Sequence, residues 1–200
     1  MLVCGLLSQE GWTDMEVLIG SEAIQGRVRE IGRQIARDHP EGAPLLVGVL
    51  RGCVILMADL MKSLPIPHEI DFISISSYEL SSQSSGAPRL VKDIGRDIEG
   101  RDVIIVEDIV DTGHTLDFLR RTFLARNPAS LKTVALLDKK SRRERDVPVE
   151  YVGFEIPDRF VVGYGLDFAE RFRHLPYIAA LTPEELIREA PVRSLGAASP

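Results

Sequence analysis

Three stretches of this chain are apolar almost throughout: Leu45-Leu-Val-Gly-Val-Leu50, Val103-Ile-Ile-Val106 and Val134-Ala-Leu-Leu137. Successive side chains of a strand point to opposite faces, so a strand written this way has no wet face. Residues with helical spacing lie between the runs. Cys53 to Leu64 forms one such segment, Leu116, Leu119 and Phe123 give another its apolar face, and Val134 to Leu137 closes the alternation. Buried strands alternating with helices predict an α/β chain: a parallel sheet with helices on both faces.

The rest of the chain extends this rhythm at both ends. Ile24, Val28, Ile31 and Ile35 recur at spacings of four, three and four, predicting a helix that opens near Ser21 and stops before Pro40 and Pro44. Pro65-Ile-Pro67 forces a turn, and His68 to Ser76, rich in β-branched residues, reads as a strand. Ser77 to Gly100 is different. It carries five serines before Pro88 and reads as a long segment without structure of its own, such as a lid. Thr182-Pro183-Glu184-Glu185 has the hydroxyl, proline and acids of a helix start, and the tail after Ala190 looks frayed. The expected organisation is an extension over residues 1–15, one domain over 16–182, and a terminal helix and tail over 183–200. Met15 is a candidate alternative start.

Charge and cysteine usage narrow the function. A net charge of −6 argues against a phosphate-backbone binder, which needs an excess of Lys and Arg, and against an anionic membrane surface. No apolar run approaches the ~18 residues of a membrane span, and the apolar start lacks the basic residues of a signal peptide. Cys4 and Cys53 are too few for a disulfide framework. A cytoplasmic protein acting on small molecules is expected.

The chemistry concentrates in Val103-Ile-Ile-Val-Glu-Asp-Ile-Val-Asp-Thr-Gly-His-Thr-Leu116. A buried strand delivers Glu107 and Asp108 to the carboxyl end of the sheet, where open α/β sheets bind ligands. Asp111 to Thr115 then make a small-residue turn into a helix. Free N–H groups at a helix start attract anions, Thr112 and Thr115 add hydroxyls, and Gly113 permits close approach of a phosphate. Carboxylates beside such a cradle suit a ligand with both an anion and a sugar diol. The plainer reading is that Asp111 and Thr112 only cap the next helix.

Val106-Glu-Asp-Ile-Val-Asp-Thr-Gly-His-Thr115 resembles the phosphoribosyl-pyrophosphate motif of type I phosphoribosyltransferases. Leu50-Arg51-Gly52, Ser77-Tyr78, Lys139, Gly153-Phe-Glu-Ile-Pro157, Phe160-Val-Val-Gly-Tyr-Gly-Leu-Asp167 and Arg173 extend the resemblance to the hypoxanthine-guanine branch, over about residues 16–182. That resemblance implies the type I fold with a small hood built from N- and C-terminal segments. It implies a 6-oxopurine displacing magnesium-bound pyrophosphate from the ribose C1, in a homodimer or homotetramer. It places Glu107 and Asp108 on the ribose hydroxyls or Mg2+, Asp167 on a second Mg2+ beside the base, and the turn Asp111, Thr112, Gly113, His114 and Thr115 on the 5′-phosphate. Asp111 becomes the candidate general base at purine N7. Leu50, Arg51, Gly52 and Arg173 meet pyrophosphate, with a non-proline cis peptide at Leu50–Arg51, while Ser77 and Tyr78 shield the reacting carbon. Lys139 donates to the purine O6, Phe160 stacks on the ring, and Val161 offers main-chain groups.

Each base contact has a plainer alternative: Lys139 as a solvated lysine beside Lys140, Arg142 and Arg143, and Phe160 as core. Cys53, His39, His68 and His174 read as packing or satisfied residues. Three other functions compete. An RNA-binding regulator on the same fold would want a basic face that this charge does not offer. A transferase for another nucleobase would share the phosphate turn. A dinucleotide dehydrogenase would need G-x-G-x-x-G after an early strand, and none occurs.

Overall fold

The computed structural model describes residues 15–76 and 88–189. In chain order these form strand β1 (Glu16–Ile19), helix α1 (Ser21–Asp38), β2 (Leu45–Leu50), α2 (Val54–Ser63), β3 (Glu69–Ser76), β4 (Arg89–Lys92) and β5 (Asp102–Val110). There follow α3 (His114–Leu124), β6 (Ser130–Asp138), β7 (Tyr151–Glu155), β8 (Val161–Val162), β9 (Ile178–Ala180) and α4 (Pro183–Glu189). The main sheet has the order β4-β3-β2-β5-β6-β7, parallel except for the β3–β4 pair.

The solid apolar strands are explained by their alternation. Leu46, Ile104, Val106, Val134 and Leu136 pack with Ile24, Ile31 and Leu56 from α1 and α2. Their neighbours Leu45, Val47, Val103, Ile105 and Ala135 pack with Leu116, Leu119 and Phe123 from α3 on the other face. Every position of these runs except Leu50, at the end of β2, is buried because each face has its own helix layer, and a fully buried Leu or Ile contributes roughly 1.5–3 kcal/mol. The α1 positions picked out by spacing, Ile24, Val28, Ile31 and Ile35, are all buried.

A second, three-stranded antiparallel sheet, β1-β9-β8, brings the two ends of the domain together as the hood. Its hairpin is bolted to the main body at α2. There Tyr164 Oη donates to Asp59 Oδ2 at 2.7 Å, and Gln25 Nε2 donates to the same oxygen at 2.6 Å. At α4, Glu185 N–H donates to Thr182 Oγ1 and Thr182 N–H to Glu185 Oε2, a reciprocal cap of the kind that Thr-Pro-Glu-Glu predicts.

Two expectations need correction. Val134–Leu137 does not end the sheet, because β7 adds a further parallel strand beside β6. Its segment has a glycine at 153, pressed against the Leu136 carbonyl, and too few apolar residues to advertise a strand. The reading of 77–100 as structureless also fails over its described part. Arg89–Lys92 pairs with β3, and Ile94 and Ile98 are buried in the α3-side core. Asp71 accepts from Gly95 N–H, and Arg126 pairs with Asp93, so residues 88–100 are fastened down. Ser77, Tyr78 and the remainder of that segment, like residues 1–14 and 190–200, lie outside the described residues.

Candidate active site

The carboxyl ends of β2, β5 and β6 meet at one edge of the sheet, and the sequence-predicted residues gather there. Glu107 and Asp108 are consecutive in β5, so they leave it on opposite faces. Glu107 lines a cavity of about 100 Å3 with Asp111, Thr112, Gly113 and Thr115. Asp108 instead faces the turn after β2, where a Cβ on Gly52 would collide with its Oδ2. The two acids therefore face different sides of the sheet edge.

Glu107 is buried and Asp108 half-buried, and this sets their proton affinity. Burial first, then the charge of Asp108, pushes Glu107 well above the usual carboxylate range. Burial also pushes Asp108 up to about 6, against the pull of the Ile109 N–H, which donates to its Oδ1 at 2.9 Å. Two adjacent acids whose proton affinity is raised in this way favour a ligand that brings positive charge or hydroxyl donors.

The turn 111–115 opens α3. Gly113 precedes the helix with φ 87°, in the left-handed region, and no side chain caps the helix. The simple capping role for Asp111 and Thr112 is therefore not what the structure holds. The turn is instead clasped from outside by the segment after β6. Glu144 and Arg145 N–H both donate to the Thr112 carbonyl at 3.0 Å. His114 turns its ring the same way, with Nε2 2.8 Å from Glu144 Oε2 and Nδ1 accepting from Arg145 Nε at 3.4 Å.

Lys139 is only 6% exposed, which excludes the solvated-surface reading. Its N–H donates to the Val110 carbonyl, and Nζ stands 3.4 Å from Asp111 Oδ2. Phe160 is 41% exposed and meets Phe168 edge-on at 5.2 Å, so it is not core. Val161 lies buried in β8. Across the site the Leu50–Arg51 peptide is cis. The hood hairpin rests on this turn, with Gly165 so close to the Gly52 carbonyl that a Cβ would stand 2.1 Å from it. Arg173 Nη1 donates to the Gly165 carbonyl, and Nη2 pairs with Asp167 Oδ1 at 2.7 Å. Arg51 reaches Glu170 at 2.9 Å.

Sequence reasoning missed two partners. Arg142 Nε lies 2.8 Å from Asp111 Oδ1, and Arg143 Nη2 lies 2.8 Å from the buried Asp138. Their signal was the basic run Lys139–Arg145 directly after a core strand, which looks like an ordinary surface turn. His39, His68 and Cys53 lie outside this arrangement, and the expectation of satisfied histidines fails at His39, whose buried Nε2 has no hydrogen-bond partner among the described residues. His39 is buried near Asp102 at the far end of β5, His68 meets the Ile66 carbonyl, and burial pushes the Cys53 thiol up.

Comparison with known proteins identifies the arrangement. Residues 20–169 match the family model described as a phosphoribosyl transferase domain. The chain is 48% identical over 168 residues to a hypoxanthine-guanine phosphoribosyltransferase of Bacillus subtilis, covering 84% of this chain and 93% of that protein. It is 49% identical over 166 residues to a hypoxanthine phosphoribosyltransferase of Salmonella typhimurium, covering 82% and 93%. A solved hypoxanthine phosphoribosyltransferase from Staphylococcus aureus superposes with a TM-score of 0.81 at 44% identity, over 86% of this chain and 94% of that one. With its sheet edge, clasped phosphate-type turn and buried lysine, the chain belongs to the phosphoribosyltransferase family, in the hypoxanthine-guanine branch.

Proposed function

We propose that this protein joins hypoxanthine or guanine to 5-phosphoribosyl 1-pyrophosphate, giving IMP or GMP and releasing pyrophosphate. The observation that carries the reading is the buried Lys139 ammonium beside Asp111, at the mouth of the anion-type turn. This juxtaposes a donor for an exocyclic oxygen, an acceptor for a ring proton and a phosphate cradle.

In this reading the N–H groups of the turn 112–115 and the hydroxyls of Thr112 and Thr115 hold the 5′-phosphate. His114 contributes its backbone, since its ring is engaged by Glu144 and Arg145. Glu107, facing the same cavity, takes the ribose side, and its negative charge suits positive charge growing on the sugar ring. Asp111 accepts the N7 proton as the purine nitrogen bonds to C1. Lys139 meets O6, Phe160 stacks on the ring, and Val161 supplies main-chain groups to its edge. Leu50, Arg51, Gly52 and Arg173 receive the departing pyrophosphate, and the resemblance assigns the shielding of the reacting carbon to Ser77 and Tyr78.

Among the described residues no three acids or histidines form a ready metal cage. The donors still suit magnesium, which is held by one or two carboxylates and completes its shell with substrate phosphates. Asp108 and Asp167, on the Gly52 side, would hold it, with Glu107 the alternative ligand on the ribose side. When bound, magnesium neutralises pyrophosphate charge and eases its departure.

The enzyme works as a homodimer or homotetramer in the cytoplasm. A role as an RNA-binding regulator is not favoured, because the chain carries a net charge of −6. The test is product analysis with labelled hypoxanthine, guanine, xanthine, adenine and uracil plus phosphoribosyl pyrophosphate and magnesium. Labelled IMP and GMP support the reading. Product from adenine or uracil alone, or from none, overturns it.

A further inference from the structure

We infer that Arg142 is a positioning residue for the base end of the site, spanning Asp111 and Asp158 so that the proton acceptor and the Phe160 loop keep one geometry. Arg142 Nε lies 2.8 Å from Asp111 Oδ1, and its Nη1 lies 3.4 Å from Asp158 Oδ1. Asp158 stands two residues before Phe160, in the connection between β7 and β8. One guanidinium thus joins the phosphate turn to the loop that carries the stacking ring.

Asp111 needs such a partner. Its Oδ1 is buried and has no aligned hydrogen-bond donor among the described residues, so the off-line guanidinium is what compensates it. Its other oxygen faces Lys139 Nζ. The purine O6 draws on that ammonium when the base arrives, and Arg142 is the cation that stays. A planar guanidinium can serve two acids at fixed angles, whereas the ammonium of a lysine acts as a point charge. The backbone supports the placement. Arg142 N–H donates to the Lys139 carbonyl and Ile156 N–H to that of Asp138, which ties both loops to the end of β6. Arg142 is 45% exposed, and exposed ion pairs add little to folding. Its loss is therefore expected in kinetics and not in melting.

The inference rests on Asp111 as the acceptor at N7, so four variants are compared by steady-state kinetics with hypoxanthine and phosphoribosyl pyrophosphate each varied, together with thermal melting. Arg142→Gln is expected to lower kcat about 10-fold and raise the KM for hypoxanthine, since small misplacements near the chemistry cost this much or more. The KM for phosphoribosyl pyrophosphate and the melting temperature stay at wild-type values. Arg142→Lys recovers only part of kcat, and Asp158→Asn raises the hypoxanthine KM in the same direction. Wild-type kinetics in Arg142→Gln, alongside an inactive Asp111→Asn, would overturn the inference alone. A parallel rise of both KM values with a lowered melting temperature would reduce Arg142 to a structural role and overturn it too. Wild-type turnover in Asp111→Asn would overturn the reading of Asp111 and the inference with it.

Discussion

A Cβ placed on Gly52 would stand 1.5 Å from Asp108 Oδ2. The contact follows from topology: β2 and β5 are parallel neighbours, so the turn leaving one meets the last residues of the other. Gly165 presses on the Gly52 carbonyl from the hood side, and the turn has no slack in either direction. Gly52→Ala must therefore displace the Asp108 carboxylate. The expected result is a loss of about 100-fold in kcat/KM in a protein that still folds, the scale of an ångström-sized misplacement. Steady-state kinetics with circular dichroism checks this. Wild-type kcat/KM in folded Gly52→Ala would remove Asp108 from the mechanism.

Asp111→Asn keeps the shape of the side chain and removes its capacity to take a proton. Turnover is expected to fall roughly 10²–10⁴-fold, the usual contribution of general acid–base help. On the proposed reading, backbone N–H groups and threonines of the turn hold the phosphate, so calorimetric binding of phosphoribosyl pyrophosphate should survive. A variant that turns over normally would leave Asp111 as nothing more than a member of the turn.

Periodicity made the central sheet legible, because a strand covered on both faces must be apolar at every position. Leu45–Leu50 and Val103–Val106 obey that rule. β7 could not be read this way, since Gly153 and Glu155 interrupt it, and its place in the sheet comes from pairing with β6. Ile94 and Ile98 were hidden by the serine-rich composition before them. In the site, Glu107, Asp108 and the turn 111–115 were visible because adjacent acids and a glycine turn are unusual at a strand end. The division of the two acids between two sides of the sheet edge was implicit in strand alternation. Arg142 was not legible: its partners Asp111 and Asp158 are distant in sequence, and only the fold brings them together.

Asp59 links pH to the docking of the hood. Burial works against its charge, but Lys62, Tyr164 and Gln25 all donate to it, and together they hold its carboxyl below the usual range. The ionised form is thus favoured in the folded state. Its contribution is present above the unfolded value, about 3.9 for Asp, and drains as pH falls through the lower folded value. Asp59→Asn should cost about 1.5–3 kcal/mol at pH 7, the worth of a hydrogen bond to a charged group, and much less near pH 3. Urea unfolding of both proteins across this range measures the gap. A gap independent of pH would assign the effect to packing instead of charge.

In the proposed function, selectivity at the purine 6-position rests on Lys139. Its ammonium is buried after β6 and stands 3.4 Å from Asp111 Oδ2. A 6-oxopurine offers O6 as an acceptor, and the ammonium can meet it with a charge-assisted hydrogen bond. Adenine presents an amino group at the same position, so two donors would face each other where water is scarce. Pockets that read a polar group in this way discriminate by about 10⁴-fold, because the wrong ligand leaves a buried group unpaired. Hypoxanthine and guanine should be used with negligible turnover of adenine. Lys139→Ala should lose kcat/KM for the oxopurines while its affinity for phosphoribosyl pyrophosphate stays close to wild type. It should gain little with adenine, since an empty hole does not supply the acceptor that an amino group needs. Comparing kcat/KM for the three bases in both proteins decides the matter. Equal use of adenine and hypoxanthine by the wild type, or unchanged oxopurine kinetics in Lys139→Ala, would move base recognition away from this lysine.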